Sequence, residues 1–193
     1  MSRLDQVREA IYRVAPGLAL ADSLFESVDN VLYCVKNRRR EYVSVNAAFI
    51  ACVRLPNKAA IIGKTARQVF PAPLAAGYEQ QDDYVFRTGR EIRDKLERVT
   101  NARGEAGWFI AHKVPIFDAK GEVVALAGIS RDLRAQAEKN PGYVAVAGAI
   151  ESVQRDYAAP LRVEELAQRA GLTTAQLDRR MRAIVQVSPR QFL

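Results

Sequence analysis

The sequence predicts an α+β protein in which a strand-and-helix domain precedes a small all-α domain. Its 193 residues, 49% hydrophobic and 26% charged, suffice for one medium core and one small one. Short runs rich in β-branched and aromatic residues come as two strands, several helical pieces and then three strands. Beyond Gly142 the apolar residues recur at three- and four-residue spacing, which is helical.

Taken in order, Leu4, Val7, Ile11 and Val14 share one face of a helix over residues 3–14 that Pro16-Gly17 breaks. Residues 1–19 form this amphipathic segment, and Leu20, Leu24, Phe25 and Val28 mark a second short one. Val31 to Val35 and Tyr42 to Val45 read as a hairpin around the polar turn Asn37-Arg38-Arg39-Arg40. Asn46 stands at the capping position of the helix that follows. Short helical pieces between Leu55 and Phe70 are punctuated by Pro56 and Gly63. Pro71 to Arg87 is a longer helix, opened by prolines and stopped at Thr88-Gly89. Strands over Glu91 to Thr100, Trp108 to Phe117 and Glu122 to Asp132 are separated by turns at Asn101-Ala102-Arg103-Gly104 and Asp118-Ala119-Lys120-Gly121.

This order, with Tyr42-Val43-Ser44-Val45-Asn46, Phe49, Gly63, Asp83, Thr88-Gly89, Glu97, Trp108, Lys113-Val114-Pro115, Gly121 and Gly128-Ile129-Ser130-Arg131-Asp132, resembles a PAS sensor domain. The resemblance spans residues 20–133. It implies a five-stranded antiparallel sheet with helices on one face and a central cavity that holds a ligand in many members and serves only dimerisation in others.

The resemblance directs attention to what such a cavity would hold. LOV-type flavin sensors carry a reactive cysteine in a short helix, and the corresponding stretch here, Gly63 to Phe70, has none. Haem-binding members place a histidine on the long helix, and Pro71 to Gly89 lacks one, so flavin and haem are both disfavoured. The identity of any ligand is left open: the domain is expected to sense a small molecule, to dimerise, or both, and a ligand would have Tyr33, Phe49, Val69, Tyr84, Trp108 and Ile110 as apolar lining and Asn46 and His112 as polar anchors. Glu97 and Lys113 fall roughly opposite each other if the turn at Asn101 to Gly104 sets the register, either as a structural cross-strand pair or as a clamp on a polar ligand.

Catalytic signatures are lacking: a single histidine leaves few acid–base arrangements, and no nucleophile, metal-ligand or phosphate-loop spacing occurs. We expect no enzyme and no metal site. Cys34 and Cys52 lack C-x-x-C spacing and read as reduced, buried thiols.

Residues 134–142, ending in Asn140-Pro141-Gly142, form a polar linker to a domain over residues 143–193. Val146, Ile150, Val153 and Tyr157 form the stripe of its first helix, ahead of Pro160. Val163, Leu166, Ala167 and Ala170 then define a second helix, which Gly171 closes. Thr173 or Thr174 caps a third, with Leu177, Met181 and Ile184 inward and Gln176, Arg179, Arg180 and Arg182 outward. Two helices joined by so short a turn make a helix-turn-helix. Gln and Arg can read base edges or neutralise phosphates, although a solvated surface helix would look similar.

Leu166-Ala167, Ala170-Gly171, Leu177, Arg179 and Ser188-Pro189-Arg190-Gln191-Phe192 resemble the first helix-turn-helix of AraC-type transcriptional regulators. That family uses two such units joined by a long helix, and residues 143–193 match the first unit and the start of the joining helix. Gln186 stands where the family usually has glycine. The resemblance implies that Thr174, Gln176, Arg179, Arg180, Arg182 and Arg190 contact double-stranded DNA.

A net charge of +7 suits such a partner, yet residues 1–138 hold 21 Lys and Arg against 17 acids and residues 139–193 hold 8 against 5. The sharper sign is local, with four arginines and one acid between Thr174 and Leu193. No membrane-length apolar run and no secretory signal occur, so a cytoplasmic protein is expected. The helix over residues 3–14 covers its own domain or pairs with a second chain. We expect pairing, since reading two half-sites calls for a homodimer. The alternative to a DNA-binding regulator is a ligand-binding or dimerisation module whose helical tail contacts protein.

Overall fold

The computed structural model describes residues 3–100, 106–133, 141–155 and 161–193. The expected turn at Asn101 to Gly104, most of the linker, Tyr157 and Pro160 lie outside these residues. Helices α1 (Arg3–Val14) and α2 (Gly17–Glu26) lead into the hairpin β1 (Val31–Asn37) and β2 (Tyr42–Val45). Then come α3 (Ala47–Val53), two 3-10 turns, α4 (Ala72–Thr88), β3 (Ile92–Thr100), β4 (Ala106–Phe117) and β5 (Val123–Asp132). The tail comprises α5 (Pro141–Arg155), α6 (Val163–Arg169), α7 (Thr174–Val185) and α8 (Pro189–Phe192).

The strands form one antiparallel sheet in the order β2-β1-β5-β4-β3, so the second and third strands in sequence lie at opposite edges. Period-two alternation sorts each strand between two faces. On the inner face Leu32, Tyr42, Val45, Val99 and Phe109 pack beneath α3, α4 and the 3-10 turns through Phe49, Phe70 and Tyr78. On the outer face two layers lie side by side. Tyr33, Val35, Val43, Ile116 and Ala125 are covered by Ile11 and Leu18 of α1 and its sequel. Ile110, with Leu96 and Trp108, is covered by the tail through Ile150, Leu166, Leu177, Met181 and Phe192.

Of the two roles expected for α1, covering its own domain is seen: Ile11 is buried on the sheet with Val7 beside it, while Val14 stays exposed at the end of the stripe. A polar hub fixes the two N-terminal helices there: Asp22 Oδ2 accepts from Tyr12 Oη at 2.5 Å, Ser44 Oγ at 2.8 Å and Arg8 at 3.2 Å. Phe25 stacks on Tyr33 with ring centroids 4.9 Å apart. Gly63 has φ +83°, which favours glycine, and the Leu4 side chain of α1 packs so close that a Cβ there, 2.4 Å from its Cδ1, would push that methyl aside.

Candidate ligand cavity and helix-turn-helix surface

Between the inner face and α4 lies a cavity of about 40 Å³ lined by Leu32, Cys34, Lys36, Tyr42, Phe49, Phe70, Tyr78, Glu97, Val99, Lys113 and Ser130. Its polar floor is a buried triad. Asp82, on the inward stripe of α4 with Ala75, Tyr78, Glu79 and Val85, accepts from Lys36 Nζ and Lys113 Nζ, each at 2.6 Å. Burial alone would raise the Asp82 carboxyl, but the two ammonium groups outweigh it and hold the acid below its ordinary value. Lys36 Nζ also sits 4.4 Å from the Tyr42 ring centroid. Glu97 accepts from Ser130 Oγ at 2.7 Å and Gln81 Nε2 at 3.2 Å. Burial pushes the Cys34 thiol up to about 11, against the opposing pull of Lys36 and Lys113. Four aromatic rings, Tyr42, Phe49, Phe70 and Tyr78, meet edge to face in succession along the wall.

Of the eight residues expected to line this cavity, Phe49 alone does so. Lys113 faces inward, so His112, Ile110 and Trp108 on the same strand face outward, a one-residue difference of parity that inverts the list. Ile110 and Trp108 pack against the tail, and His112 lies 3.3 Å from Glu91 at the surface. Tyr33 is buried under α2. Asn46 is structural: its Oδ1 accepts from the N–H groups of Tyr33 and Phe49, each at 3.0 Å, and its amide donates to Phe25 and Val31 carbonyls. Tyr84 lies on the exposed side of α4. Val69 packs beside the inner core. Glu97 and Lys113 do not form the expected pair, because Glu97 lies opposite Phe109 and Lys113 opposite Ile92.

The triad was legible in part. Asp82 interrupts an apolar i, i+3, i+7 row on α4, and Lys36 alternates with Leu32 and Cys34, both signs of inward charge. A cavity this small is far below the roughly 300–1,000 Å³ of drug-sized ligand sites. Haem or flavin would therefore require the wall to rearrange.

At the other end, α7 turns Leu177, Met181 and Val185 inward and leaves Thr174, Gln176, Arg179 and Arg182 exposed, with Arg180 half-buried. Thr173 caps the helix: its hydroxyl accepts from Gln176 N at 3.2 Å, while Gln176 Oε1 accepts from Thr173 N at 2.9 Å. One end of the Gln176 amide is thereby occupied. Arg182 Nε reaches Asp178 Oδ2 at 2.8 Å. Arg179 makes no ion pair among the described residues. Thr174, Arg182 and Arg190 line one groove of about 390 Å³ with Val163, Glu164 and Asp178, and Gln176, Arg179 and Arg180 stand apart from it. Gln186 ends α7 in the left-handed conformation, φ 57°, which accounts physically for a glycine preference there. On the sheet side, Phe192 meets the Trp108 ring at 5.5 Å and the Arg98 guanidinium lies 5.7 Å from the same ring. The Trp108 indole N–H is buried without a hydrogen-bond partner among the described residues.

A family model for the PAS fold matches residues 25–138, more than half of the chain. The chain belongs to the PAS-fold family. The chain is also similar to the methanogenesis regulatory histidine kinase FilI of Methanothrix harundinacea, 30% identical over 119 residues; the match covers 60% of this chain and only 13% of that protein. Among solved structures, a Vibrio cholerae VqmA–ligand–DNA complex aligns with 90% of this chain and 84% of its own, at 20% identity and TM-score 0.53. A Colwellia psychrerythraea PAS domain aligns with 60% of this chain and 95% of its own, at 17% identity and TM-score 0.51. Identities this low establish the PAS fold alone. No described helix is long and apolar enough to cross a membrane.

Proposed function

We propose that the chain is a cytoplasmic, non-enzymatic transcriptional regulator. Its PAS domain takes a small-molecule effector and its AraC-like helix-turn-helix reads the major groove of double-stranded DNA through Thr174, Gln176, Arg179, Arg180, Arg182 and Arg190. The observation that carries this reading is α7, which buries one apolar stripe and presents on its open side an arginine, Arg179, with no ion pair among the described residues. A free guanidinium can serve a base edge or a phosphate, whereas Arg182 must first leave Asp178. The extent of the likeness to VqmA, solved with ligand and DNA, supports a sensor and reader in one chain.

The test begins by selecting a bound duplex from a randomised pool with the full chain and measuring its affinity at several salt concentrations. Binding that falls steeply with salt is expected. Replacing Arg179 by Ala should weaken it by ~1–3 kcal/mol. Failure to enrich any duplex, or salt-independent binding, would favour the second reading, a PAS module whose tail contacts protein; the docking of that tail on the sheet favours it independently.

The effector is assigned to the cavity beside Asp82, which has to widen from about 40 Å³ to admit it; its aromatic walls and the Lys36 and Lys113 ammonium groups suit a small polar molecule with an apolar body. The regulator is read as a homodimer that meets its second copy through α2, which leaves Leu20 and Leu24 at 64% and 60% exposure. Native mass spectrometry reports subunit count and any retained small molecule together, and Leu24→Glu is expected to yield monomer.

A further inference from the structure

Strand β3 lies at an edge of the sheet and is shared by the cavity and the tail. Glu97 and Val99 line the cavity, while Leu96 packs with the tail cluster on the opposite face and Arg98 lies over Trp108. Besides the bonds of Ser130 and Gln81 to Glu97, the cavity wall reaches the backbone of this strand through Tyr78: its Oη, on α4, donates to the Arg98 carbonyl. The Arg98 side chain then meets the Trp108 ring, and that ring meets Phe192 of α8. Three successive contacts therefore lead from a cavity-lining tyrosine to the last helix of the helix-turn-helix unit. A register shift between Ile92 and Lys95, with Asp94 at φ 47°, interrupts the pairing of β3 near its start. An edge strand with one partner and a bulge yields more readily than a central one.

We propose that Trp108 and Phe192 form a latch holding the helix-turn-helix unit on the sheet, and that Tyr78, through the Arg98 carbonyl, couples the latch to the state of the cavity. The proposal deepens the regulator reading above and rests on it for its biological meaning. A group that enters the cavity and moves Tyr78 draws on the Arg98 carbonyl and shifts the guanidinium over Trp108. Reciprocity requires that releasing the latch alter the cavity in turn. The docked state is poised for release because the Trp108 indole N–H, buried there, regains water on undocking.

Trp108 is the chain's single tryptophan, so its emission reports the latch directly. In the 193-residue chain, Phe192→Ala should move the emission to longer wavelength and raise acrylamide quenching at least twofold. Tyr78→Phe, which keeps the ring and deletes only the hydroxyl, should cause a smaller change in the same direction that disappears in the Phe192→Ala background. The reverse arm uses Cys34 as a cavity reporter in a Cys52→Ser background. Phe192→Ala, on the far side of the sheet, should speed Cys34 alkylation at least threefold. This arm also stands if Tyr78→Phe loses cooperative unfolding. An unchanged Trp108 spectrum in Phe192→Ala, additive effects of the two substitutions, or an unchanged Cys34 rate would overturn the proposal. Failure of the regulator reading is separable, since it shows as absent salt-dependent duplex binding while Trp108 and Cys34 still respond.

Discussion

Asp82 balances two buried ammonium groups with one carboxylate, and its loss strands both. Asp82→Asn should destabilise the protein by ~3–5 kcal/mol at neutral pH, the usual cost of removing one member of a buried pair. The sign of the pH dependence follows from the depressed acid. Its contribution is complete above the unfolded value near 3.9 and is lost as pH falls through the lower folded value. Urea midpoints measured from pH 7 down to pH 3 should therefore fall in the parent below about pH 4 and be flatter there in Asp82→Asn. Burial raises both Cys34 and Cys52 to about 11. At neutral pH each is almost wholly thiol and only partly exposed, so both should react with Ellman's reagent roughly tenfold or more slowly than a free cysteine. Rapid labelling of either would refute the burial argument.

At the scale of elements, Gln186 closes α7 in a conformation that costs most L-residues about 1–2 kcal/mol. Gln186→Gly relieves that strain and gives back part of the gain through a freer unfolded chain. A net stabilisation of about 0.5–1 kcal/mol is expected, read as a higher thermal midpoint. Thr173→Ala should cost about 1 kcal/mol by opening the α7 cap. The β1–β2 hairpin, the Asn46 cap, α4, β3 to β5 and the α6–α7 turn all stand within a few residues of where periodicity and turn residues put them, because those signals are local. The inward face of β4 was not legible. Alternation fixes that alternate side chains share a face, yet Trp108 and Ile110 look equally apolar whether they meet a ligand or another domain. The Glu97–Lys113 pair failed because β3 and β4 close with Thr100 opposite Ala106, which sets Glu97 against Phe109, four residues short of Lys113, and Asp82, from a helix distant in sequence, supplied the lysine's partner instead.

Viewed whole, the sheet is buried on both sides, by its own crossover helices within and by the two ends of the chain without. Removing residues 1–28 should uncover Tyr33, Val35, Val43 and Ile116 as one apolar patch, giving strong binding of an anilinonaphthalene dye and light scattering at micromolar concentration. A protein without those residues that stays monodisperse and dye-negative would show that α1 and α2 are not the cover the packing implies. The division of the outer face between the chain ends also bears on synthesis. Trp108 leaves the ribosome 84 residues before Phe192 (192 − 108). At ~5–20 residues per second the nascent sheet waits ~4–17 s with that half of its surface bare. A chaperone that binds exposed apolar surface would in that interval find the same ground that the finished chain covers with its own C-terminal helices.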